Sequence, residues 1–344
     1  MHKSALFLLL SILASTSSSF AQGPSSQYRI ANKIHLEGDG GWDYLTMDVP
    51  TSRLFISHGN MVQVLDVPGK TVIGTIPDTK GVHGIAIARD LNKGFISNGR
   101  DTSVTVFDLT SLEVLAKVKV TGNNPDAILY DPFSGHVFTY NGRSSNATVV
   151  DARTNEVVGT IELPGKPEFS VTDGKGRVYV NIEDKSLVCL IDPVILKVEK
   201  SWSVSPGEEP SGLALDSRDH RLFSVCGNQL MVVLDADNGE VISTLEIGDR
   251  VDGVAYDPEL KRIYSSNGDG TLTVVQEEDK NTFRVIENFP TQQGARTIYL
   301  NPKTHRIYLP VAEYEPVPDA TPENPRPRPS AKPGTFTILE IEPM

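Results

Sequence analysis

The sequence predicts an all-β fold: a seven-bladed β-propeller of four-stranded blades, with the last blade closed by the N-terminal strand. Three observations predict it. A triplet that opens on a basic residue and ends on an aromatic recurs seven times, at Phe55, Phe95, Phe138, Tyr179, Phe223, Tyr264 and Tyr308, with spacings of 40, 43, 41, 44, 41 and 44. Each anchor is embedded in short alternating runs of β-formers bounded by Gly, Asn, Asp and Pro, and no run has a helical period. Finally, the seventh repeat has a single further strand, "TFTILEI", whereas "YRIANKIHL" (28–36) stands unused ahead of the first repeat. Units of about 40–45 residues with four strands are the signature of propeller blades, and closing the ring with the N-terminal run leaves no open sheet edge.

Taken in chain order, the first 21 residues read as a secretory signal peptide: Lys3, a short apolar run, and small residues ending at Ala21. Residues 22–344 then form one propeller domain. Each blade opens on an innermost run such as "GIAIA", "AILYD", "GLALD" or "GVAYD". A turn leads to the anchor strand ("RLFIS", "GFISN", "HVFTY"), and a third strand follows ("VQVLD", "VTVFD", "VCLID", "MVVLD"). Five third strands end on an aspartate, at Asp66, Asp108, Asp151, Asp192 and Asp235. The basic residue two before each anchor (Arg53, Lys93, His136, Arg177, Arg221, Arg262, Arg306) recurs in every repeat, which marks it as architectural and a candidate partner for those aspartates. A proline-rich insertion, 315–334, interrupts the last blade between its second and third strands and is expected to be extended and to project over the rim.

The formal charge of −12 and the lack of a basic run argue against nucleic acid as partner. Only Cys189 and Cys226 are present, in strand-like runs rather than a CxxC, so redox or zinc chemistry has no support. A fold of this size does not need the single disulfide they permit. The reading is of a periplasmic or secreted monomer with no transmembrane segment.

The runs "RVYVNIEDKSLVCLID" and "RLFSVCGNQLMVVLDADNGEVISTLEI" resemble YVTN-type repeats, as in the YncE-like exported bacterial propellers. The resemblance covers all seven repeats, from about Gly41 to Ile341. It implies the propeller fold and an exported protein. It implies no particular activity, because shared architecture does not carry function.

A propeller's ligand site commonly lies where the innermost strands enter the central channel. The residues opening those strands are Asp43, His83, Asp126, Glu168, Ser211, Asp252 and Arg296, six of them ionisable. The next residues inward are expected to be small or apolar, to fit the narrow axis. The hairpins between second and third strands add His58, Arg100 and Arg143 to the same rim, together with Asn-Gly turns that need no function beyond the turn. Arg296, Arg100 and Arg143 suit the carboxylate or phosphate of a ligand. Asp43, Asp126, Glu168 and Asp252 are candidate ligand-binding residues that would suit a hard divalent cation such as calcium through oxygen ligands, and His83 or His58 would suit a general base. Two functions follow. One is an exported propeller binding a small ligand, metal or protein partner at the channel mouth. The alternative is a metal-dependent hydrolase or lyase of the lactonase-like propeller type. "DADNGEVISTLE" is not an EF-hand, because its glycine falls one place early and strands flank it.

Overall fold

The computed structural model describes residues 26–321, 327 and 329–344; the expected signal peptide lies outside them. Seven antiparallel four-stranded sheets form the blades, and three short 3-10 turns are the helical elements among the described residues. Blade 1, for example, runs from the innermost strand Trp42–Asp48 through Arg53–His58 and Met61–Asp66 to the outer strand Thr71–Ile76. Neighbouring innermost strands contact one another around the whole ring, the last one touching the first.

The closing strand is the expected one. Tyr28–His35 pairs antiparallel with Thr337–Pro343, Tyr28 opposite Pro343 and His35 opposite Thr337. Tyr28 is buried at the closure, and its hydroxyl lies 3.1 Å from that of Tyr264 and accepts a 2.6 Å hydrogen bond from Arg262 in the preceding blade.

The recurring aromatic is the packing unit between blades. All seven anchors are no more than 1 % exposed, and Phe55, for instance, packs with Val64 of its own blade and Ile85, Ile96 and Phe107 of the next. Burying such a side chain contributes roughly 1.5–3 kcal/mol, so each copy fastens two sheets together.

The recurring basic residue holds blades together differently from the expectation. It reaches forward to the third-to-fourth-strand turn of the next blade: Arg53 to Leu109 O (2.6 Å), Lys93 to Arg153 O (2.8 Å), His136 to Pro193 O (3.0 Å), Arg221 to Lys280 O (2.7 Å). Arg177 pairs with Asp237 in the same way. Of the strand-end aspartates, Asp235 does pair with its own basic residue, Arg221, at 2.8 Å. Asp108, Asp151 and Asp192 instead accept backbone N–H groups of their own turns, such as Thr110 and Ser111 for Asp108. In the closing blade Arg306 turns to Glu340 and Glu342 of the same sheet.

Cys189 and Cys226 are separate buried thiols. Among the described residues no helix is long and apolar enough to cross a membrane.

Candidate functional site

Six innermost strands break register at their entry, between Trp42 and Leu45, Val82 and Ile85, Pro125 and Ile128, Pro167 and Ser170, Pro210 and Leu213, and Val251 and Gly253. A bulge re-aims the side chain it carries, and the residues in these bulges are Asp43, His83, Asp126, Glu168, Ser211 and Asp252. Second-strand hydroxyls fix them. Asp43 N donates to Ser57 Oγ at 2.9 Å and Gly84 N to Ser97 Oγ at 2.9 Å, while Ser97 Oγ also donates to Asp126 O of the next blade. Ser266 Oγ donates to Arg296 O at 2.5 Å, and Thr297 Oγ1 to Asp43 O at 2.7 Å across the ring closure. Gly81 sits at φ +64°, with Arg100 N only 3.0 Å from where a Cβ would stand, and Gly84 approaches the neighbouring strand so closely that a Cβ would lie 2.8 Å from Ile128. Both glycines around His83 are therefore required by backbone geometry.

Two of the bulge residues, Asp43 and His83, line a polar cavity of about 780 Å³ together with Trp42, Arg100, Arg143 and Arg296, among others, and His83 and Arg296 link that lining to Asp126 and Asp252. His83 Nδ1 is 2.7 Å from Asp43 Oδ2 and 3.5 Å from Asp126 Oδ1. Arg296 Nε is 2.7 Å from Asp252 Oδ2, and its Nη2 is 3.8 Å from Asp43 Oδ1. Lys166 Nζ is 2.6 Å from Glu168 Oε1 and also contacts Glu183. Four acids from four blades are thus held by three cations from three blades. Asp43, His83 and Asp126 converge closely enough to offer ligand atoms within 4.8 Å of one another. Glu168 and Asp252 instead face Lys166 and Arg296, so the four carboxylates do not form one cation cage.

Burial dominates the acid–base behaviour. It pushes Asp126 up to about 7, with His83 pulling the other way and Asp43 and Asp252 reinforcing the rise. Burial and the charge of Asp126 push Glu168 up against the pull of Lys166. Asp252 is also raised by burial, and Arg296 limits the rise. For His83, burial disfavours the imidazolium, but the hydrogen bond to Asp43 and the charges of Asp126, Asp43 and Glu168 outweigh it and raise the group to about 9. The mouth therefore favours the charged form of His83 and the protonated forms of Asp126, Glu168 and Asp252, a clustering of perturbed groups typical of functional sites.

The next residues inward are small or apolar as expected, Gly84, Ala127, Phe169, Gly212, Gly253 and Thr297, except for Tyr44, whose ring faces that of Phe169 at 5.3 Å between ring centres. Tyr44 and Phe169 also line the inner end of a second cavity of about 680 Å³ on the opposite face. Burial and the charges of Asp252, Asp43, Asp126 and Glu168 hold the Tyr44 phenol well above the usual range.

The structure does not bring His58 into the cavity. It is 1 % exposed, stacked on Phe336 at 4.1 Å, with Nδ1 2.9 Å from Gln63 Oε1. Its slot is structural in the sister blades too. Asn98 Nδ2 donates to Ser103 Oγ and Thr105 Oγ1, and Asn267 Nδ2 donates to Thr271 Oγ1 and Thr273 Oγ1. In this slot His58 holds the third strand through Gln63, outside the lining of the cavity. Arg100 and Arg143 do reach the cavity.

Lys166, Trp42 and Tyr44 were not among the residues singled out from the sequence. Lys166 could have been found from strand alternation, since residues two apart enter on one side and Lys166 precedes Glu168 by that spacing. Trp42 lines the cavity with its buried indole N–H lacking an acceptor. It packs 6.0 Å from Tyr314, at the base of the proline-rich insertion. That base is a short antiparallel bridge, Tyr314 opposite Ala331, with Glu315 N donating to Ser330 O at 2.9 Å. The insertion therefore starts from the wall of the mouth; residues 322–326 and 328 lie outside the described part.

No family model matches the chain, and no curated protein matches it. Solved structures match in fold. A chain of "Kuenenia stuttgartiensis Hydrazine Synthase" aligns with TM-score 0.68 at 18% identity, covering 80% of this chain and 94% of that one. A chain of "Crystal Structure of Mitotic Checkpoint Complex" aligns with TM-score 0.72 at 14% identity, covering 88% and 96%. At such identities the likeness is one of architecture, and the chain is a seven-bladed β-propeller.

Proposed function

We propose that the protein is an exported propeller that binds a small molecule bearing a carboxylate or phosphate group at its polar mouth. One observation carries this reading. Arg100 and Arg143 line the cavity, exposed, and pair with no acid among the described residues, whereas Lys166 and Arg296 in the same mouth are already paired. Unpaired guanidinium groups beside a cavity are suited to bidentate recognition of carboxylate or phosphate. In the same lining, Asp43 offers a partner for hydroxyl or amine groups of the same ligand. The YVTN-type character of the repeats and the leader-like N-terminus support export. The test is a thermal-shift screen of small carboxylates and phosphates against the wild type and Arg100→Ala/Arg143→Ala. The reading expects wild-type shifts that the double variant loses; shifts retained by that variant would refute it.

A second reading, the metal-dependent hydrolase or lyase, draws on the convergence of Asp43, His83 and Asp126. It needs His83 to surrender the proton that Asp43 and Asp126 stabilise, and it leaves Glu168 and Asp252 outside the ligand set. Metal analysis and melting curves with and without EDTA, run on the wild type and on Asp43→Asn/Asp126→Asn, separate the two: bound metal and an EDTA response that the double variant loses favour this reading.

A further inference from the structure

The innermost strands of four blades end, on the face opposite the polar mouth, in a buried aspartate: Asp48, Asp131, Asp216 and Asp257. Three of these are answered by a donor from the next blade. Arg89 Nη1 reaches Asp48 at 2.7 and 2.8 Å, Thr172 Oγ1 donates to Asp131 at 2.6 Å, and His305 Nδ1 lies 2.7 Å from Asp257. Asp216 is different. Its oxygens accept the backbone N–H groups of Arg218 and Asp219, and the next blade brings to it the Tyr256 hydroxyl, which donates at 2.6 Å to Glu277, and a second carboxylate, Glu277 itself.

Glu277 stands where the other blades carry an apolar residue. The equivalent positions are Val67, Leu109, Ala152 and Ala236, each donating its N–H to the turn before the anchor strand, as Glu277 does to Lys261 O at 2.9 Å. Glu277 is 1 % exposed. Its Oε2 accepts a 2.6 Å hydrogen bond from Tyr256, and its Oε1 is buried with no hydrogen-bond partner. Asp216, Asp219 and Glu277 offer carboxylate oxygens within 4.8 Å of one another. The nearest cation is Lys261, 3.5 Å from Asp219 on the partly exposed side. An orphan carboxylate oxygen buried beside two more carboxylates is costly unless something positive or a proton completes it.

We propose that Asp216, Asp219 and Glu277 form a site for a hard divalent cation of the calcium class. The donors are all oxygens, the set a hard cation prefers, and Asp219 gives the ion a path from solvent. The site is independent of the mouth: it uses other residues, on the other face. Bound cation would join blade 5 to blade 6 where the sister blades use Arg89, Thr172 or His305.

Protein stripped with chelator and melted in rising calcium tests this. The wild type is expected to gain several degrees of Tm by about 1 mM calcium, the range of weak extracellular sites. Glu277→Leu, which restores the apolar residue of a sister blade, is expected to fold and to lose the gain. Asp219→Asn, at the partly exposed edge, is expected to shift the calcium midpoint upward by about tenfold or more, since affinity follows ligand charge. His83→Gln, in the mouth, is expected to keep the full response. No wild-type shift with calcium, magnesium or manganese would overturn the proposal and leave a protonated Glu277. An equal shift in Glu277→Leu, or its loss in His83→Gln alone, would also overturn it.

Discussion

His83 Nδ1 stands 2.7 Å from Asp43 and 3.5 Å from Asp126, so one imidazole from blade 2 bridges the carboxylates of the blades on either side. Because the partners come from different blades, the state of this one proton reports on the packing of three neighbouring blades and not on a single sheet.

The first prediction concerns that proton. Histidine titration by NMR should show one imidazole with a midpoint near 9, where burial is outweighed by Asp43 and Asp126. In Asp43→Asn the same resonance should titrate at distinctly lower pH. A His83 midpoint at or below its ordinary 6.5 in the wild type would contradict the pairing.

Stability should fall as pH rises through the mouth's titration range. A histidine raised in the folded state contributes stability that is complete below its unfolded value and lost as pH climbs to about 9. Asp126, Glu168 and Asp252 are raised as well, so the folded state holds protons that the unfolded chain has released, and ionising them above the usual carboxylate range also costs stability. Both terms have the same sign. Glu168→Gln should therefore match the wild type in Tm near pH 5 and exceed it near pH 8 by roughly 2 °C or more. A lower Tm than the wild type at pH 8 would mean that the Lys166 pair outweighs burial.

The blade clips should differ in strength according to burial. Arg221 is 5 % exposed and holds Asp235, Lys280 O and Asn281, so Arg221→Ala should cost about 3 kcal/mol. Arg177 and Asp237 are 41% and 49% exposed, so Arg177→Ala should cost about 1 kcal/mol or less. Denaturant melts of the two variants decide this, and equal losses would count against the ranking.

Ring closure should depend on Tyr28. Removing its buried ring and the hydroxyl contacts to Tyr264 and Arg262 should cost about 3–5 kcal/mol in Tyr28→Ala. A near-neutral change would show that the N-terminal strand is dispensable.

The fold was legible because blade architecture is written as a spacing, and the surplus N-terminal run told how the ring closes. The mouth was half legible. His83 and the acids could be aligned by repeat position, but which acid meets which cation depends on bulges that aim each side chain, and a bulge leaves no composition signal. His58 misled because a hairpin-end residue reads as exposed, while its pairing with Met61 turns it inward over Gln63 and Phe336. The basic clips escaped for a simpler reason: their partners sit in the next repeat, so Arg53 finds Leu109 and not the aspartate that ends its own hairpin.

The most direct test of the central claim is calorimetric titration of citrate and of inorganic phosphate into the wild type and into Arg100→Ala/Arg143→Ala. The account predicts saturable binding of at least one of these anions by the wild type. In the double variant it predicts an affinity lower by about tenfold or more with Tm unchanged, because both arginines are exposed and unpaired. Absence of saturable binding by either anion, or binding that survives the double substitution, would contradict it.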